Sequence, residues 1–216
     1  MRPAQPVMAW RDRLNRALRR VPVWPVYAGS AVYAAWVFLR GALGALGPNP
    51  VEALEHTYGD AALYLLIAGL SITPSRRILG LNLMKFRRAL GLGCFFFLSI
   101  HALTWAVLDV QALAGIWADI VKRPYITVGM AGFLLLFPLA VTSNGRSVRR
   151  LGARWRKLHR LVYPAAILGA LHYVMLVKGW QLKPLVMLAV VIFLLALRLP
   201  GLARQRRIEP TARQGL

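Results

Sequence analysis

Six apolar stretches, separated by short polar or arginine-rich segments, constrain this chain more than any other feature. They run from Val23 to Leu46, Ala61 to Ile72, Leu90 to Leu108, Tyr125 to Thr142, Leu161 to Val177 and Pro184 to Leu199. A helix crosses the roughly 30 Å hydrocarbon core of a bilayer with about 20 mostly apolar residues. In lipid every backbone N–H and C=O must be satisfied internally, which favours helices for such runs. The expected fold is therefore all-α, an integral membrane bundle of six transmembrane helices. The second stretch is the weakest, because it reaches span length only if Tyr58 to Pro74 is counted, and that takes in Asp60. No internal repeat is evident, and the connecting loops are too short to fold alone. The expected organisation is a basic, amphipathic segment over 1–22, the six-helix bundle over 23–199 and a basic tail over 200–216.

The charges orient the bundle. The chain carries 28 Lys and Arg against 7 Asp and Glu, a formal net charge of +21. Such an excess would fit nucleic-acid binding if it lay on one soluble surface. Instead, 23 of the 28 cluster in four segments: the stretch before Val23, Arg76 to Arg88, Arg146 to Arg160, and the stretch from Arg198 onward. With six spans all four fall on one side, and the positive-inside rule places that side and both termini in the cytoplasm. Only Arg40, Lys122, Arg123, Lys178 and Lys183 fall on the other side, with five of the seven acids. The expected partner of the basic face is anionic lipid, not nucleic acid. Within the first segment, Met8 to Arg20 reads as a short interfacial helix with Trp10, Leu14 and Leu18 toward lipid.

The candidate chemistry rests on histidine. The single Cys excludes an intramolecular disulfide and multi-cysteine metal sites. Of four histidines, His56 reads as a solvated residue of the outer loop. His101 and His172 lie inside the third and fifth stretches, where ionisable side chains are costly and usually serve function. Each is about 11 or 12 residues from the inner end of its stretch, or roughly 17 Å at ~1.5 Å per residue. Two imidazoles at one depth suit axial ligation of a single haem iron. A proton relay and a hydrogen-bonded core pair are the other readings that depth alone allows.

His159 precedes His172 by about 13 residues, roughly 20 Å along a helix and about 220° away around it. It reads as an inner-boundary residue, off the face of His172 unless Pro164 shifts the phase. Counting back from His101 reaches Arg87, about 40° off the same face, with Arg88 beside it. A guanidinium suits a haem propionate better than it suits iron. The plainer readings are a topological arginine and an interfacial histidine. Cys94 reads as an inert buried thiol. Trp105, Trp117, Tyr125, Trp155 and Trp180 read as an interfacial aromatic belt. No nucleotide-binding glycine motif is present, so reducing power must come from a partner or a mobile carrier.

The stretch TSNGRSVRRLGARWRKLHRLVY, from Thr142 to Tyr163, resembles the signature of the haem-binding membrane subunits of bacterial periplasmic methionine sulfoxide reductase systems. Supporting pieces are TPSRR at Thr73–Arg77, KFRRALGL at Lys85–Leu92, KRPYITVGM at Lys122–Met130 and LHY at Leu171–Tyr173. That family belongs to the ferric reductase-like transmembrane superfamily, and the resemblance covers roughly residues 20 to 200. It implies b-type haem, one or two per chain, and FMN. It also implies a multi-pass protein of the bacterial inner membrane. Electrons would come from the respiratory quinone pool or a cytosolic flavin reductase. They would leave to a periplasmic, molybdopterin-containing catalytic subunit that reduces methionine sulfoxide. Carried onto this chain, His101 and His172 match the outer haem pair and His159 the inner-side histidine. Where the superfamily has a second histidine on the third span, this chain has Arg87 and Arg88. A ferric reductase or quinol-linked cytochrome with another acceptor is the nearest alternative, and a proton-coupled transporter the more distant one. The outer segments Pro48–Tyr58 and Asp109–Pro124, with Glu52, Glu55 and Asp119, are the expected docking region for the partner.

Overall fold

The computed structural model describes residues 6–177 and 179–198. The expected tail over 200–216 lies outside the described residues. Those described are helical throughout, with no strand among them. α1 (Pro6–Arg20) is followed by α2 (Trp24–Ala42), α3 (Pro50–Ile78) and α4 (Arg87–Leu103), the last entered through a 3-10 turn at Met84–Phe86. A π-helix, Thr104–Val110, continues α4; α5 (Leu113–Lys122) and α6 (Pro124–Val141) come next. α7 (Gly145–Leu151) and α8 (Ala153–Leu158) form a broken connection. A 3-10 turn at His159–Leu161 leads into α9 (Val162–Leu176), and α10 (Leu182–Ala196) closes the bundle.

Large apolar side chains point outward as well as inward. Val32, Trp36, Phe38 and Leu39 on α2 are exposed, as are Leu134 and Phe137 on α6 and Ile192 and Phe193 on α10. So much exposed apolar surface is a liability in water and the normal condition in lipid. Two continuous helical stretches, Met84–Val110 and Pro124–Val141, are long and apolar enough to cross a membrane. α1 and α2 form a pair bent by 66°, with α1 folded away from the apolar helix that follows it. α1 is anchored by side chain and backbone: Asn15 Nδ2 donates to the Gly80 carbonyl, and Lys85 Nζ to the Arg19 carbonyl.

α3 corrects the expected boundaries most. Its 29 residues span about 43 Å at ~1.5 Å each, well beyond the short stretch read from hydropathy. Pro50 starts it, Glu52 sits in its first turn, and Pro74 does not end it. The reason for its weak apolar signal is its position. Leu54, Tyr58, Ala62, Leu63, Leu66, Leu70 and Ile72 are buried, so α3 packs in the centre, against α2, α4, α9 and α10. A helix surrounded by protein need not present an apolar face to lipid on every side. Tyr58 ties it to α2, its hydroxyl donating to the Ala34 carbonyl at 2.9 Å. The α6–α9 contact is built on small residues: Ala165, Ala166 and Ala170 are fully buried, which lets backbones approach closely.

Candidate functional site

Two cavities open among the described residues, one toward each end of α3, called outer and inner after the orientation expected from the charges, and the expected site residues divide between them. The outer cavity, about 190 Å³, is lined by His101, His172, Trp105 and Tyr125 among mostly apolar side chains. The inner cavity, about 560 Å³, is lined by His159, Arg87, Arg88, Arg149, Arg198 and Trp155. Leu66, Cys94 and Leu136 line both.

In the outer cavity the two histidines meet. His101 comes from α4 and His172 from α9, and their ring centroids lie 6.2 Å apart with the planes at 77°. Each is held by a backbone carbonyl of a neighbouring helix. His101 Nδ1–H donates to the Glu55 carbonyl at 2.9 Å, and His172 Nδ1–H to the Tyr125 carbonyl at 2.7 Å. A carbonyl only accepts, so each bond places the proton on Nδ1 and leaves the Nε2 lone pair for a ligand. No group of three or more His, Cys, Asp or Glu side chains forms among the described residues. The donor set is therefore a pair of imidazoles. Two imidazoles on one metal, with bonds of about 2 Å and ring centres ~1.1 Å behind each nitrogen, place those centres roughly 6.3 Å apart. The observed separation fits one iron between them.

The mouth of this cavity holds residues that the sequence placed elsewhere. Trp105, expected in an interfacial belt, lines the cavity with its indole Nε1 buried. It follows His101 by one turn, and the π-helix starts at Thr104, where a widened turn re-aims side chains. Tyr125 likewise lines the cavity and supplies the carbonyl for His172. Glu55, expected on a docking surface, has Oε1 buried and belongs to the cavity. His56 is exposed, on α3 and not in a loop. Asp60 is paired with Lys183 of α10. Trp117 and Trp180 are exposed, as a belt requires.

The inner cavity is built differently. His159 stands in the 3-10 turn beneath α9, and its Nε2 lies 3.2 Å from Thr142 Oγ1. Its ring stacks on Trp155 at 3.9 Å, and Trp155 Nε1–H donates to the Thr142 carbonyl. The 220° offset expected of one continuous helix does not apply, because the helix is interrupted at His159–Leu161. At the foot of α9, outside the apolar span, partial burial and the charge of Arg87 hold His159 below the ordinary histidine range. Arg87, Arg88, Arg149 and Arg198 supply positive charge, and no carboxylate among the described residues lines the cavity. Arg198 reaches in from the end of α10 and donates to the Leu70 carbonyl. Nothing in the sequence pattern separated Arg149 and Arg198 from the other arginines. The local geometry of 142–163 explains the signature there: Asn144 caps α7 by accepting from the Ser147 N–H, and Gly152 at φ 51° permits the break before α8.

Residues 58–170 match the family model described as the ferric reductase like transmembrane component. The chain is also similar to curated proteins over most of its length. It is 46% identical over 203 residues to the protein-methionine-sulfoxide reductase haem-binding subunit MsrQ of Rhizobium meliloti, covering 94% of this chain and 92% of that one. Identity to the MsrQ subunit of Brucella anthropi is 46% over 178 residues, 82% of this chain and 81% of the relative. The MsrQ subunit of Brucella melitensis biotype 2 gives the same identity and coverage. No solved structure matches the chain. An all-helical apolar bundle, the matched transmembrane component and this identity over most of the chain together make the chain a member of the MsrQ family of haem-binding subunits of protein-methionine-sulfoxide reductase.

Proposed function

We propose that the chain is the transmembrane electron-transfer subunit of a periplasmic methionine sulfoxide reductase system, with His101 and His172 as axial ligands of one b-type haem. The observation that carries this reading is the pair of imidazoles 6.2 Å apart, each with Nδ1 committed to a backbone carbonyl. Haem bound there supplies reversible one-electron chemistry. The chain's own residues do the rest. The Glu55 and Tyr125 carbonyls hold the two rings, and Leu63, Leu98 and Phe133 keep the cavity wall apolar. Were both imidazoles to hold the iron, no position on it would remain for substrate, which would suit electron relay and not catalysis on methionine sulfoxide.

Orientation follows the charge. The basic segments support six spans with both termini in the cytoplasm of a cell bounded by an inner membrane. Electrons enter at the inner side from the quinone pool or a cytosolic flavin reductase. They leave at the outer side to a molybdopterin-containing periplasmic subunit. The inner cavity is where a second redox group of the family, an inner haem or FMN, would sit. Its acidic groups would meet Arg87 and Arg88, and His159 is the one imidazole lining the inner cavity. Glu52 is exposed at the start of α3, so it is the acid there best placed to steer a docking partner.

The test is spectroscopic. Purified protein is expected to show the split reduced bands of low-spin b haem, and His101→Ala and His172→Ala each to abolish the same signal. A folded, colourless protein would falsify the reading. Haem and flavin quantitation per polypeptide assigns the inner cavity. Reduced protein mixed with candidate periplasmic acceptors identifies the partner.

A further inference from the structure

Each ring of the outer pair packs on a glycine as well as on a carbonyl. His101 donates to the carbonyl of Glu55 and lies over Gly59, four residues on along α3. His172 donates to the carbonyl of Tyr125 and lies over Gly129, four residues on along α6. The histidines follow their carbonyl partners by 46 and 47 residues. The same small device, carbonyl at one position, glycine four later and a histidine from another helix, is thus built twice around one cavity. No sequence repeat announces it.

The spacing of four has a physical cause. Within a helix the carbonyl of residue i faces the N–H of residue i+4. Each Cα–Cβ bond tilts toward the helix N-terminus, so a side chain covers the turn that precedes it. A Cβ at i+4 therefore stands between a neighbouring ring and that carbonyl. At Gly129 an added Cβ would lie 2.8 Å from His172 Nδ1, closer than real Cβ contacts come, and 3.0 Å from Cε1, a tight contact. At Gly59 it would lie 3.4 Å from His101 Nδ1 and Cε1, an ordinary contact.

We infer that Gly59 and Gly129 are positioning residues: by leaving the carbonyls of Glu55 and Tyr125 open, they set the orientation and donor strength of the two axial imidazoles. The inference rests on the haem reading above. An imidazole that gives its Nδ1 proton to an acceptor becomes a more basic ligand, as outer partners do for metal-bound histidines generally. A more basic ligand stabilises ferric over ferrous iron. The two sites are unequal, with Gly129 the tighter, so His172 is the ligand whose orientation is more strongly dictated.

The experiment compares the intact protein with Gly129→Ala, Gly59→Ala and Gly29→Ala. A Cβ at Gly29 of α2 meets nothing within 4 Å and controls for placing alanine in a helix. Haem content, the low-spin ferric electron paramagnetic resonance signal and the midpoint potential are read on each. Gly129→Ala is expected to move the largest g value, which reports the angle between the imidazole planes, and to shift the potential upward. Gly59→Ala is expected to give a smaller shift of the same sign, and Gly29→Ala none. In the intact ferrous protein the Nδ1 protons of both histidines should exchange slowly with solvent. Unchanged g values and potential in both site variants, with haem retained, would overturn the inference. So would fast-exchanging Nδ1 protons, a readout that stands even if Gly129→Ala does not assemble. Intact protein lacking low-spin haem would overturn the haem reading instead.

Discussion

The outer cavity holds its histidines with backbone and the inner cavity holds its histidine with side chains. His101 and His172 are fixed by the carbonyls of Glu55 and Tyr125, which no substitution at those positions removes. His159 is fixed by the Thr142 hydroxyl and by the face of Trp155, both of which single substitutions delete. The outer cavity pairs His101 and His172 and also takes in His56, Arg123 and the carboxylates Glu55, Asp60 and Asp109; the inner sets one ring among four arginines, with no carboxylate among the described residues. The first arrangement is suited to an iron between two nitrogens. The second is suited to an anionic group, since guanidinium forms strong, geometrically specific bonds to carboxylate and phosphate.

The largest test of this contrast sets His172→Ala against His159→Ala. Loss of His172 should remove the outer low-spin signal completely. Loss of His159 should leave that signal in place and alter only what the inner cavity binds. Equal losses would show that the two cavities are not separate sites. Next, Arg87→Ala and Arg88→Ala should weaken binding of an added carboxylate- or phosphate-bearing ligand, titrated into the intact protein. A lost charge-assisted hydrogen bond of about 1.5–3 kcal/mol corresponds to roughly 10- to 100-fold. Unchanged affinity would mean these exposed arginines serve topology alone. Trp155→Phe keeps the stack on His159 and deletes the indole bond to the Thr142 carbonyl. It should cost about 1 kcal/mol, read as a fall of ~2–4 °C in melting temperature. The smallest effect belongs to Asp60→Asn. The Asp60–Lys183 pair between α3 and α10 is partly exposed, so its loss should cost no more than about 1 kcal/mol.

The histidine pair was legible in the sequence because ionisable groups inside apolar runs stand out and their depths could be counted. Their carbonyl partners were not, since a backbone acceptor 46 residues away carries no residue-type signal. The helical, apolar character of the bundle follows from hydropathy, which marks only the apolar middle of α3. Its polar first turns and Asp60 hid a helix that neighbours surround. That Trp105 and Trp155 line the cavities escapes the sequence for a related reason. Composition places a tryptophan near a span end, whereas a π-helix after His101 and a broken helix before His159 decide which way it points.

Leu66, Cys94 and Leu136 are buried and face both cavities, so the two sites are separated by a partition of single side chains. Such a wall is thin for an electron, and its three side chains offer a proton only the weak donor of the Cys94 thiol. In a protein oriented across the inner membrane as proposed, an electron passing outward through that wall would carry charge across the membrane, and a transfer not matched by a proton would be electrogenic. One charge moving through the full potential is worth about 2.3 kcal/mol per 100 mV. A cell interior held negative would then push electrons in the direction in which methionine sulfoxide repair consumes them, and the respiratory state of the cell would set part of the driving force.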